Sequence, residues 1–203
     1  MATARARARA DARAARGESV LAGRFALFAE CLLTGVWIAV ASAGVVTYPA
    51  AFAAGARHLR RRATHQAGGV CEFVADFRAA LPGGWLAGLA GWAAVAVAWV
   101  DVQAARAGLP GGALVGAAGL FALIGLAVAG LRAAAVWTPG AAWRSLLAGA
   151  GRRTVLDPAG SFLLVGGLAV VACSAWFLAP LAVPVLGAVA AAAVAVEERH
   201  RRR

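Results

Sequence analysis

VVTYPAAFAAGARHLRRR, residues 45–62, is the stretch that decides the fold of this chain. Its first two-thirds are apolar and its last six residues hold four arginines, so it reads as a short membrane crossing or as a basic surface segment. Eighteen residues of helix rise about 27 Å, just under the hydrocarbon thickness of a bilayer, about 30 Å. A crossing would oblige Arg57, Arg60, Arg61 and Arg62 to snorkel along their alkyl stems to the headgroups and anionic lipid. Pro49 suits the first turn of such a helix, where a missing N–H costs nothing, and Gly44 is placed to close the turn before it. A shallow re-entrant hairpin is the rival geometry.

The surroundings favour a crossing. Four longer apolar runs, 25–43, 84–100, 112–131 and 161–179, are uncharged except for Glu30 in the first, and a shorter run follows Pro180 and ends at 196. Of the 203 residues 62% are hydrophobic and 14% charged, against about half and about 25% in soluble domains. An ordinary soluble domain is thereby excluded, and the solvent is lipid. In lipid the backbone must bond to itself, which selects helices for runs of this length.

Arginine sets the topology, because short cytoplasmic flanks collect it and exported loops do not. All 20 basic residues are arginine, and the formal net charge is +11. If six segments cross, 19 of the 20 arginines fall on one side, only Arg106 on the other; the best five-crossing arrangement keeps 13 together. The expectation is an all-α polytopic transmembrane bundle of six spans, the second one short, with an interfacial amphipathic helix and both termini cytoplasmic. Residues 1–24 are read as a disordered basic cytoplasmic tail on anionic lipid, 25–196 as the membrane domain and 197–203 as a second basic tail. Ala41-Ser42-Ala43 imitates a signal-peptidase site, but the basic region before the apolar run is 24 residues long and cleavage would remove the partner of the second segment.

The loops carry the candidate contacts. In 69–81, Val70, Phe73, Val74, Phe77 and Leu81 share one helical face while Glu72 and Asp76 share the opposite side, which predicts an amphipathic interfacial helix ended by Pro82-Gly83-Gly84. Two uses are open: a packing element over the bundle's inner end, or a docking surface formed by Glu72, Phe73, Asp76, Phe77 and Arg78. The loop 132–160 adds Trp143 and Arg144 to that surface, Arg152 and Arg153 as lipid contacts, and Asp157-Pro158, where Asp157 can cap the following helix. Glu30 is the one acid well inside an apolar run; it reads as an ion pair with Arg24 or a neighbouring arginine, or as a proton or substrate site. Trp85 and Trp99 mark the two ends of the third span, with Trp92 between them as bundle packing. Gly84 and Gly88, and Gly112 and Gly116, offer small-residue surfaces for close helix contact.

Other functions find little to stand on. The arginines flank apolar segments instead of forming one basic face, so nucleic acid is not an expected partner. Cys31, Cys71 and Cys173 have no metal or disulfide spacing, and His65 with Cys71 is too small a set for zinc. No HExxH, GxSxG or paired-histidine pattern is present, so no catalytic residue, metal or cofactor is assigned and a non-enzymatic protein is expected. Alanine and arginine standing in for isoleucine and lysine point to a GC-rich bacterial genome and hence the plasma membrane.

The segment Gly44-Val45-Val46-Thr47-Tyr48-Pro49-Ala50-Ala51-Phe52-Ala53, the basic stretch after it and Phe73-Val74-Ala75-Asp76-Phe77-Arg78 resemble the YesL-like family of bacterial membrane proteins of unknown function. Val136-Trp137-Thr138-Pro139-Gly140 and Asp157-Pro158 are also similar to actinobacterial members, and the resemblance covers roughly 24–197; Tyr48 stands where the family usually has glycine. Members tend to be encoded beside carbohydrate transporters and glycoside hydrolases. The resemblance therefore implies an accessory or regulatory component of an ABC-type carbohydrate uptake system, with permease or ATPase subunits as partners. A small autonomous transporter, for which six spans could suffice as a homo-oligomer, and a lipid-organising scaffold are the alternatives.

Overall fold

The computed structural model describes residues 25–202 apart from 65, 67, 109 and 178, and the reading of 1–24 as a disordered tail lies outside them. All regular structure among the described residues is helical. Helix α1 (25–41) runs into a 3-10 turn, Ser42–Gly44; α2 is Tyr48–Ala63, α3 Val70–Arg106, α4 Gly112–Val136, α5 Trp143–Leu156, α6 Pro158–Phe177 and α7 Ala179–Arg201. Five stretches are long and apolar enough to cross a membrane: Phe25–Gly44, Val70–Arg106, Gly112–Val136, Pro158–Phe177 and Pro180–Arg201. Each has 20 residues or more, about 30 Å of helix, and presents large apolar side chains such as Leu114, Phe121, Phe162 and Trp176 outward. This is an all-α bundle of membrane-protein type.

Helix α2 is the bundle's interior. Its 16 residues rise about 24 Å, and every residue from Pro49 to Ala56 is buried. A stretch apolar on all sides, as 49–56 is, belongs inside, and its alanines let α3, α4 and α7 approach its backbone. It runs antiparallel to α1: the Thr47 hydroxyl donates to the Ala41 carbonyl at 2.7 Å, Gly55 lies under Ile38 and Thr34, and His58 meets Glu30. Segment 45–62 therefore does return the chain to the starting end of α1, but within protein. The four arginines expected to snorkel to lipid face carboxylates and carbonyls of the bundle instead.

Glycines set the close crossings. Added side chains at Gly84 and Gly88 of α3 would strike Ala50 of α2 and the Val46 carbonyl in the turn before it, and one at Gly112 of α4 would come within 2.9 Å of the Ala105 Cα. Both small-residue pairs are consumed inside the chain. A third crossing, of Gly35 on α1 with Gly187 on α7, brings two backbones together, and each glycine is followed four residues on by an alanine, Ala39 and Ala191.

Three boundaries differ from expectation. The predicted 69–81 helix is not separate: Pro82 lies inside α3. One forfeited N–H is tolerated because Gly83 admits the Trp143 ring and Gly84 admits Ala50, so packing on both sides holds the helix across the proline. At 37 residues α3 is about 55 Å long, which leaves its first turns beyond the apolar slab. The turn before α2 places its positive φ at Val45 (57°), not at Gly44, and the Val46 N–H closes a γ-turn on the Gly44 carbonyl at 2.5 Å. Finally, 197–203 does not begin a tail, since α7 continues through Arg201 with Glu197 buried.

Candidate functional site

The last turns of α2 send charge in three directions. Arg57 and Arg61, one helical turn apart, both reach Asp76 of α3, at 2.9 and 2.8 Å. His58 and Arg62, again one turn apart, straddle Glu30 of α1, with His58 Nε2 at 3.2 Å and Arg62 Nη2 at 2.7 Å. Arg60, on the remaining face, donates to the carbonyls of Ala135 and, at 2.5 Å, Trp137 beyond the end of α4. Each i,i+4 pair thus ties α2 to a different neighbour. Thr34 donates to the Glu30 carbonyl at 2.7 Å, and the Trp37 ring meets wholly buried His58 edge-on, centroids 5.0 Å apart.

A second cluster joins α4, α6 and α7. Arg132 is wholly buried; its Nη1 lies 3.1 Å from Glu197, and its Nη2 reaches the Asp157 carboxylate at 3.1 Å, the Asp157 carbonyl at 3.2 Å and the Ser161 hydroxyl at 3.3 Å. Arg153 Nε approaches the other Glu197 oxygen at 3.0 Å, and Arg199 lies 3.7 Å from Asp157. Asp157 also caps α6, accepting the Gly160 N–H at 3.2 Å, and Pro158 takes the first helical position, where it needs no donor. Burial pushes the Asp157 carboxyl upward, but the Gly160 N–H, the Arg132 hydrogen bond and the charges of Arg132 and Arg199 more than offset it, leaving the group below the ordinary carboxylate range.

The expected docking surface is divided. Phe73, Asp76 and Trp143 are buried within the chain: Phe73 packs on Trp37 with centroids 5.4 Å apart, and Trp143 donates its indole N–H to the Ala80 carbonyl at 3.1 Å. Glu72, Arg78 and Arg144 are exposed and Phe77 half-buried, so only these four remain accessible. Arg152 is exposed and free to meet lipid, whereas Arg153 is turned towards Glu197. Glu30 is an ion-pair member, as one of its two readings had it, but its partners come from α2. The Arg24 alternative lies outside the described residues. Trp85 and Trp99 are exposed, and Trp92, about half exposed, donates its indole N–H to the Val45 carbonyl at 3.2 Å. Sequence reasoning missed Arg132, taken for a loop residue because it ends an apolar run. The available signal was its place on α4's inner face, one turn after Val128 and four residues before Val136.

Above the charged end the helices border a partly open apolar cavity of about 330 Å³, walled by Phe52 of α2, Leu126 and Leu131 of α4, and Leu168, Leu186 and Val189 of α6 and α7, with Ser42 and Tyr48 among the few polar neighbours. Among the described residues no three His, Cys, Asp or Glu side chains converge as a metal site would require. What the charged end does chemically is to lock helices: two carboxylates clamp α1 and α3 to α2, and two more clamp α6 and α7 to α4.

The fold and this site define a class, a multi-helix membrane bundle with one charged end. No family model matches the chain, and neither a curated protein nor a solved structure matches it.

Proposed function

We propose that this chain is a multi-pass protein of the bacterial plasma membrane, with both termini in the cytoplasm, that acts by contact and without catalysis as an accessory or regulatory component of an ABC-type carbohydrate uptake system. The observation that carries the contact role is the pairing of the interior and half-buried acids with cations. Glu30, Asp76, Asp157 and Glu197 each already hold one or two cationic partners, so none is left to bind or relay a solute. The orientation rests on the arginines: among the described residues all but Arg106 belong to the charged end or to the segments joined to it, and that end faces the cytoplasm under the positive-inside rule. The carbohydrate system comes from the resemblance to the YesL-like family, and the exposed Glu72, Arg78 and Arg144 are the side chains with which a permease or ATPase subunit would pair.

A lipid-organising scaffold is the second reading, favoured by the apolar cavity, whose walls suit a hydrocarbon chain and not a sugar. Purification of the tagged protein in mild detergent from cells grown on several sugars separates the two. Recovery of a sugar permease or its ATPase in near-equal amount is the expected result; recovery of the folded protein alone, on every sugar, contradicts the accessory role.

A further inference from the structure

At the charged end, a second cavity of about 500 Å³ opens between the end of α4, helix α5 and the last turns of α7. Its polar lining is Arg152, Arg153, His200, Arg201 and Glu197, and Leu146 and Leu156 of α5 form an apolar side. The single carboxylate does not neutralise this lining. Both Glu197 oxygens are engaged, one by Arg132 at 3.1 Å and one by Arg153 at 3.0 Å, which leaves Arg152 and Arg201 without an acid in reach among the described residues. Arg153 also keeps Nη2 buried with no hydrogen-bond partner. A guanidinium N–H out of water and unbonded is costly, and an anionic oxygen is the acceptor that relieves it most. Planar guanidinium groups converging on one cavity match the oxygens of a phosphate, which they bind in paired hydrogen bonds.

We infer that the cavity bounded by Arg152, Arg153, His200 and Arg201 is a phosphate-binding site, taking either the headgroup phosphate of an anionic phospholipid or a free phosphate. The apolar α5 wall beside it would border the glycerol and upper acyl segment in the first case. The site is separate from the contact role proposed above, since none of its four basic residues is among the side chains assigned to a partner.

The test uses the full chain in phosphatidylcholine nanodiscs, its thermal unfolding midpoint followed while inorganic phosphate is titrated in one arm and phosphatidylglycerol is mixed into the bilayer in the other. A ligand of the folded state raises the midpoint saturably. Saturable stabilisation by phosphatidylglycerol alone assigns the lipid headgroup, and by inorganic phosphate the free anion. The double variant Arg152→Gln/Arg201→Gln, altered at exposed positions without an ion-pair partner among the described residues, is expected to weaken that response about tenfold or more. Arg144→Gln, an exposed arginine of the same helix outside the cavity, is expected to leave it unchanged. The inference is overturned if neither probe stabilises saturably, if the double variant responds like the wild type, or if Arg144→Gln weakens the response as much as the double variant, which would reduce it to general charge attraction.

Discussion

Arg132 ties three parts of the fold together through one side chain. It is wholly buried and holds two carboxylates from two other helices, so its removal leaves Asp157 and Glu197 as buried anions with one weaker partner each. Breaking a buried ion pair from one side costs about 3–5 kcal/mol, far more than the pair itself contributes. Arg132→Ala is therefore expected to lose stability of that order in detergent unfolding, and Arg132→Met combined with Asp157→Asn and Glu197→Gln to recover most of it. A loss near zero for the single variant would mean that the cluster is solvated. Asp157 adds a dependence on pH. Its carboxyl is held below the ordinary value, so its contribution is fully present above about pH 4, where the unfolded chain titrates, and is lost as pH falls through the lower folded value. Unfolding midpoints measured across that acid range should fall in the wild type and flatten in Asp157→Asn; parallel curves would contradict the pairing.

At the scale of elements, α2 explains both what the sequence disclosed and what it hid. The long apolar runs were legible because 20 residues of helix match a bilayer and little else does. Pro49 at a helix start and Asp157 as a cap were legible because both act on their own backbone, within three residues. Segment 45–62 was ambiguous for a physical reason: alanine-rich helix buried in protein and weak helix buried in lipid have the same composition, and only the partners differ. Pro82 misled because the rule that proline ends a helix assumes water on one side, whereas here Trp143 and Ala50 press on the next two glycines. Asp76 misled likewise, since its partners Arg57 and Arg61 lie across a loop that periodicity does not read. The packing of α3 on the turn before α2 has its own test. A methyl group at Gly88 would strike the Val46 carbonyl, while one at Gly125 of α4 meets nothing within 4 Å. Gly88→Ala should cost about 1–3 kcal/mol and Gly125→Ala about 0.5 or less in the same unfolding assay. Equal effects would show that α3 does not pack on the turn before α2 at that point.

For the whole molecule, the defining feature is the sorting of charge to one end. α1, α2, α3, α4, α6 and α7 alternate in direction, so the α2–α3 loop, α5 and the end of α7 gather beside the start of α1. Two clamps meet there, one joining α1 and α3 to α2 and the other joining α6 and α7 to α4, with Arg60 bridging α2 to the end of α4. The opposite end has Asp101 and Arg106 as its charges among the described residues. Such an arrangement gives the bundle one basic end, and it is on that end that the proposed partner contacts and the proposed phosphate site both lie.

The most direct test of this account is the side of the membrane on which Cys71, exposed in the first turn of α3 at the charged end, resides. With Cys31 and Cys173 replaced by alanine, a membrane-impermeant thiol reagent should leave Cys71 unmodified in intact cells and label it once the membrane is permeabilised. Labelling before permeabilisation would put the charged end outside and contradict the account.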